Sequence, residues 1–379
     1  MGVSNLVPIL DPNPLPAPYW VFKVLLVVTF FLHILAMNFM LGGALLALVA
    51  KWRARSPELG KRVFFDLAHK LPALLPATIT LGIAPLLFVQ VLYGQFFYTS
   101  SIILAWPWFC VLVLLTTAYY GFYYVSLRGE KRPRRAAGVL SFSVVLILIV
   151  GFIYTNNITL SQTPARWGAK YFANPGGWNL NLSESTLIPR VLHFFTAAVA
   201  VGGILLVLIA CTKWQRDREY AHYIFQFGGK AFMYATMAQF LVGIWFVVTL
   251  PPDIRLLFVG YNAFATMLLL LAIAGAMAAI YVMVEALRTE NIRLAARYVT
   301  GLTAAVILSM SVLRAFLRDA YLKPYYHPQQ FLVKTQWSVL PIFLVLFVGG
   351  VILWFVMLKR YGFFRSKGAV EQERLTSIR

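Results

Sequence analysis

Apolar runs recur along the chain with short polar stretches between them, and their lengths match the roughly 20 residues that a helix needs to cross a hydrocarbon layer. Nine such runs fall at 20–50, 71–97, 103–127, 137–158, 187–212, 228–250, 257–286, 298–317 and 336–358. A helix satisfies its own backbone hydrogen bonds, which lipid cannot do for it. The pattern predicts an all-α integral membrane protein of about nine transmembrane helices.

The polar stretches set the orientation. Basic residues crowd alternate loops: Lys51, Arg53, Arg55, Lys61 and Arg62; Arg128, Lys131, Arg132, Arg134 and Arg135; Lys213, Arg216 and Arg218; Arg288, Arg293 and Arg297; and the tail from Lys359. By the positive-inside rule these loops are cytoplasmic, so the amino terminus lies outside and the carboxyl terminus inside. The expected organisation is a four-helix transmembrane bundle over 1–160, an external loop over 161–186 and a second four-helix bundle over 187–318. A further external loop covers 319–335, and a last, peripheral helix with a basic cytoplasmic tail covers 336–379. The first twenty residues carry Pro12, Pro14, Pro16 and Pro18 and no basic n-region, so they read as an external arm, not a cleaved signal peptide.

Composition removes other classes. At 60% hydrophobic and 12% charged residues, a soluble domain is not viable. The net charge of +20 sits in the cytoplasmic loops, where it reads as topology and not as a nucleic-acid surface. Cys110 and Cys211 both lie inside spans and no CxxCH is present, which leaves a disulfide framework and covalently attached c-type haem unsupported.

Candidate chemistry comes from a phrase used twice. His33 to Gly43 reads HILAMNFMLGG and His193 to Gly203 reads HFFTAAVAVGG, each a histidine, eight residues and a Gly-Gly pair. An imidazole inside the membrane is expensive unless partnered, so each marks a functional site or a satisfied core histidine. Helical spacing puts Ala197, Ala200 and Ile204 after His193, leaving room for a flat macrocycle, and Met37, Met40 and Ala44 after His33, supplying soft packing or an axial sulfur. The glycines fall on another face and suit close helix packing. The spans hold almost no further metal donors, which disfavours a nonhaem metal site, whereas haem needs only one or two axial ligands. Arg190, one turn outside His193, is placed to neutralise a haem propionate or to snorkel to the interface; Arg314 and Arg318 repeat that spacing. His327, in KPYYHPQQ, is an axial ligand reaching down or a contact to a partner, while His69 and His222 read as interfacial and unliganded. No carboxylate lies deep in a span, so no proton relay is evident.

These residues resemble a known family. The histidine of the first span with its glycine nine residues on, Arg190-x-x-His193 with Gly202 in the fifth span, and nine spans with an external amino terminus are similar to subunit I of cytochrome bd quinol oxidase. The similarity covers most of the chain and takes in Leu71 to Gly94, which ends in Gln90-Val91-Leu92-Tyr93-Gly94, Phe152 to Pro164 with Asn157, Leu256 to Ile273, and Arg318. The resemblance implies that His33 ligates a haem of the oxygen-reducing pair and His193 a low-spin haem b. The departures fall at the chemistry. Ala263 stands where the family has an axial methionine, with Met267 one turn on and His327 as substitutes; Gln90 stands for a carboxylate and Ala315 for a ligating glutamate. The family's quinol-binding loop is reduced to Pro251–Arg255.

The function expected from this reading is a haem b-containing electron-transfer subunit of a quinol-linked oxidoreductase complex in the bacterial inner membrane. It would carry one or two haems b and pass electrons between membrane quinol and a periplasmic monohaem or multihaem c-type cytochrome, alongside lipid and other membrane subunits. Gln336, Trp337 and Asn262 are quinol-site candidates by position alone. A terminal quinol oxidase and a haem-free scaffold or transporter are the alternatives.

Overall fold

The computed structural model describes residues 14–54, 56–327 and 331–360. The expected arm before residue 14, Arg55 and the basic tail beyond Arg360 lie outside the described residues. Within them, eight helices are long and apolar enough to cross a membrane. They are α1 (Tyr19–Arg53), α3 (Leu71–Leu104), α4 (Trp106–Arg128), α5 (Pro133–Ser161), α7 (Leu187–Lys213), α8 (Arg218–Thr249), α10 (Ala263–Arg288) and α12 (Thr300–Leu322). The ninth expected run forms α13 (Val339–Arg360), whose apolar stretch Val339–Leu353 is shorter than the others. The chain is an all-α, multi-pass membrane protein.

Several short helices lie between the spans. At the cytoplasmic side, α2 (Pro57–Ala68) starts where Ser56 Oγ accepts the Leu59 N–H at 3.4 Å and Pro57 takes the first position. It buries Val63, Phe64, Leu67 and Ala68 and leaves Glu58, Lys61 and Arg62 exposed, a surface helix where the apolar-run pattern showed only a loop. On the other side, α6 (Trp167–Ala173) is pinned by Trp167 Nε1 donating to the Leu160 carbonyl at 2.9 Å. The turn expected over 251–255 is itself helical, α9 (Pro252–Leu256), followed by a π-helical turn over Leu257–Tyr261 in which Gly260 takes a φ of +128°. That conformation ends one helix and lets Asn262 begin the next. The three residues of α11 (Ile292–Leu294) lead through a second π-helical turn into α12.

Helices α1 and α7 pack on each other at the centre, and each reaches outward, α1 to α3 and α12 and α7 to α8. The glycines of the repeated phrase make this possible. A Cβ on Gly42 would run into the Ala198 carbonyl, and one on Gly203 would stand 2.8 Å from the Phe232 nitrogen of α8. Small residues thus allow backbone approach where lipid offers no hydrophobic drive between helices. On either side, α4 pairs with α5 and α10 with α12. Two proline residues, Pro76 and Pro85, and a non-helical Tyr93 (φ −132°, ψ 29°) bend α3.

Polar groups tie the ends together. Asn181 N–H donates to Asn156 Oδ1 at 2.8 Å and its amide to Thr159 Oγ1 at 3.1 Å, while Ser100 Oγ donates to Asn157 Oδ1 at 3.0 Å. Asn156 of the fourth span therefore holds the external loop, and Asn157 ties the same span to α3. Leu15 N–H donates to Leu332 O at 2.7 Å and Lys334 N–H to Leu15 O at 2.9 Å, joining the start of the first helix to the segment before α13. On the cytoplasmic side Asp66 accepts from Lys70 at 2.8 Å, Lys213 at 2.7 Å and the Tyr220 hydroxyl at 3.0 Å, and Arg62 pairs with Asp217.

Candidate functional site

His33 projects from α1 onto α3. Its Nδ1 lies 3.0 Å from the Thr78 carbonyl, which can only accept, so that nitrogen carries the proton and Nε2 is left with a lone pair. Gly82 makes the space: a Cβ there would lie 2.8 Å from the His33 Cε1. A carbonyl that fixes the tautomer and orientation of an imidazole is the usual support behind a metal-ligating histidine.

The second imidazole has no such support. His193 Nδ1 is buried and has no hydrogen-bond partner among the described residues. The backbone beside it is held instead, by Gln239 Nε2 of α8 donating to the His193 carbonyl at 2.8 Å, and Gly243 of the same helix leaves the ring face open. An orphaned buried ring nitrogen costs about 1–3 kcal/mol unless something binds it.

Three guanidiniums converge near the two histidines. Arg190 is 7% exposed and donates to Gln162 Oε1 at 3.0 Å, but its Nε and second terminal nitrogen are buried without partners. Arg318, 6% exposed, stacks 4.8 Å over the Tyr93 ring and has a terminal nitrogen equally unpartnered. Arg314 stacks 4.1 Å over Phe30, whose ring centre is 6.4 Å from that of His33. The three lie within electrostatic reach of one another, and Arg314 within reach of His33.

Two carboxylates on this side are already engaged. Asp319 accepts from Lys23 Nζ at 2.5 Å and from the Tyr93 hydroxyl at 2.6 Å, and Glu184 pairs with Arg166 at 3.0 Å and accepts from Thr186 at 3.1 Å. Two buried guanidiniums, Arg190 and Arg318, with donors left open among the described residues and Arg314 within electrostatic reach, form a site suited to a bound anion, because uncompensated charge in the layer is costly. An open imidazole nitrogen beside such a cluster fits a haem, whose iron takes the one and whose propionates take the other.

Other candidates separate from this cluster. Met267 is 62% exposed on an outward face shared with Phe264 and Leu271, so it does not stand with the buried groups as an axial ligand. Met40 is 2% exposed and packed in the central core with Ala44, Ala200 and Ile204, which removes it as an axial sulfur and fills the face beyond His193. His327 is exposed on the external side. Asn262 caps α10, accepting the Ala265 N–H at 3.0 Å, and Gln336 and Trp337 are exposed, Gln336 using its N–H to reach the Pro16 carbonyl at 2.8 Å. Sequence position alone groups these three. His69 and His222 meet Glu130 and Glu290 at 3.3 and 3.2 Å.

The sequence reading passed over Lys23, Tyr93, Asp319 and Gln162. A lysine four residues into an apolar run is the one signal it offered, since such a charge needs a partner.

No protein-family model and no curated protein matches the chain. Among solved structures it is similar to the bd oxidase of Geobacillus thermodenitrificans, with a TM-score of 0.68 and 12% identity over 92% of this chain and 99% of that one. At that identity the likeness is one of fold. Together with the eight spanning helices it gives the chain a bd-oxidase-like fold of the multi-pass membrane class.

Proposed function

We propose that this chain is a haem b-binding electron-transfer subunit of a quinol-linked oxidoreductase complex, passing electrons between membrane quinol and periplasmic c-type cytochromes. The observation that carries the reading is the unpartnered His193 Nδ1 on the same helix as Arg190, three residues on, with open donors on Arg190 and on the nearby Arg318. His193 would hold the iron of one haem b, and Arg190, Arg314 and Arg318 would take its propionates. His33, with Nε2 free and Nδ1 held by Thr78, is the ligand for a second. Bound haem supplies reversible one-electron transfer. The residues around it supply position and potential: the guanidiniums favour the reduced state by adding positive charge, and the packed apolar helices exclude water. Other membrane subunits and a c-type cytochrome complete the chain of carriers, since this sequence has no CxxCH of its own.

The test is a reduced-minus-oxidised spectrum of the purified protein with pyridine haemochrome quantitation. One or two haems b per chain are expected, and a haem-free preparation sinks the reading. The bd-oxidase-like fold favours a second reading, a terminal quinol oxidase. Gln90 and Ala315, standing where the resembling family has carboxylates, argue against it. Oxygen consumption with a quinol donor decides between them.

A further inference from the structure

A groove of about 1550 Å³ runs along α3 between α2, α4 and α13. Its cytoplasmic end is polar. There His69 sits with Nδ1 2.5 Å from the Phe65 carbonyl and Nε2 3.3 Å from Glu130, beside the Asp66 cluster and the hydroxyls of Tyr119 and Tyr123. From that end the groove continues past Pro76, Leu81, Ala84 and Phe88 of α3 and is walled by Phe343 and Phe347 of α13. Helix rise from Lys70 to Phe88 gives about 27 Å, nearly the ~30 Å of a hydrocarbon core. The shape selects an amphiphile with a small polar head and a long apolar tail.

Charge narrows the head. Lys61, Arg62, Lys70 and Lys213 line that end together with Glu58, Asp66 and Glu130. Asp66 already binds Lys70 and Lys213, and Glu130 meets His69. A phosphate entering there finds Lys70 and Lys213 bound to Asp66 and Arg62 bound to Asp217, and must compete with those carboxylates for its cations. A neutral head that donates and accepts hydrogen bonds leaves those pairs intact.

The groove also has a defined relation to His33. Thr78 and Gly82 of α3 meet the imidazole, while Thr80, Leu81 and Ala84 of the same helix line the groove. Only the thickness of one helix, about 10 Å, separates the two.

We propose that this groove binds the membrane quinol or quinone, with its head at His69 and Glu130 and its tail along α3. The proposal rests on the quinol-linked reading above and relocates its substrate from the external loops to the cytoplasmic half of the membrane. The test irradiates the purified protein in lipid nanodiscs with an azido-quinone carrying an isoprenoid tail and maps the labelled peptides by mass spectrometry. Label within 72–88 and 343–351, lowered at least fivefold by excess quinone and by Ala73→Trp, a groove-lining position on α3, with the haem spectrum unchanged, supports it. Label confined to the external segments overturns it, as does groove label that excess quinone leaves in place and added phosphatidylglycerol displaces. The wild-type label map stands even where Ala73→Trp fails to fold. Absence of haem defeats the electron-transfer reading alone, and the location of the label still decides the groove.

Discussion

Gly42 and Gly202 meet backbone to backbone: a Cβ on Gly202 would stand 2.8 Å from the Gly42 Cα. The contact joins the two copies of the repeated phrase, so the same glycines that end each copy hold the two histidine-bearing helices against each other.

Enlarging that contact should therefore damage the whole fold. Gly42→Val is expected to destabilise by about 1–3 kcal/mol or more, the usual effect of overpacking a filled contact, and to lower the midpoint of thermal unfolding in detergent. Gly138→Ala, where nothing lies within 4 Å of the new methyl, is the matched control and should be neutral or slightly stabilising.

The two histidines should behave differently when removed. His193 Nδ1 has no protein partner to lose, so His193→Ala should fold with an unchanged far-ultraviolet spectrum while its low-spin haem signal disappears. An unchanged haem signal would show that another residue is the ligand. His33→Ala should spare that signal and remove only a second haem.

Arg190→Gln should keep the haem and change its potential. Loss of a nearby positive charge favours the oxidised state, so the midpoint is expected to fall by about 60 mV, the one-electron equivalent of a tenfold change in equilibrium constant. A spectroelectrochemical titration with no fall would place Arg190 outside the reach of the propionates.

At the cytoplasmic surface, Asp217 should lend stability that acid removes. Burial pushes its carboxyl up, but the Arg62 guanidinium and the Tyr220 N–H together outweigh that and hold it below the ordinary carboxylate range. A depressed folded value means the contribution is complete above the unfolded value of about 3.9 and is lost as pH falls through the folded one. Asp217→Asn, which keeps the helix cap, should be less stable than wild type at pH 7, and the gap should close below about pH 4 in chemical denaturation.

How much of this was legible depended on the kind of signal. The spans were, because the length of an apolar run is set by the membrane and not by neighbours; α1, α5 and α7 begin or end within a few residues of the expected positions. His33 and His193 stood out because an imidazole there is costly. The partners did not, since Lys23 reaches Asp319 across 296 positions and nothing local announces it. The face that Met267 occupies was illegible for a different reason. A membrane helix is apolar on every side, so its periodicity cannot say which face meets lipid and which meets protein. Asn262 was read as a lining group when its local role, starting α10 after the Gly260 turn, was available from its position before an apolar run.

The hydrogen bonds from Leu15 to the segment around Val333, extended by Gln336 N–H to Pro16 O, have an evolutionary consequence. They are made by main chain, which every residue type except proline offers on both sides. The starting point of the last helix is thus anchored by a device blind to side-chain identity. Substitutions on its lipid-facing side therefore leave the anchoring of its start intact.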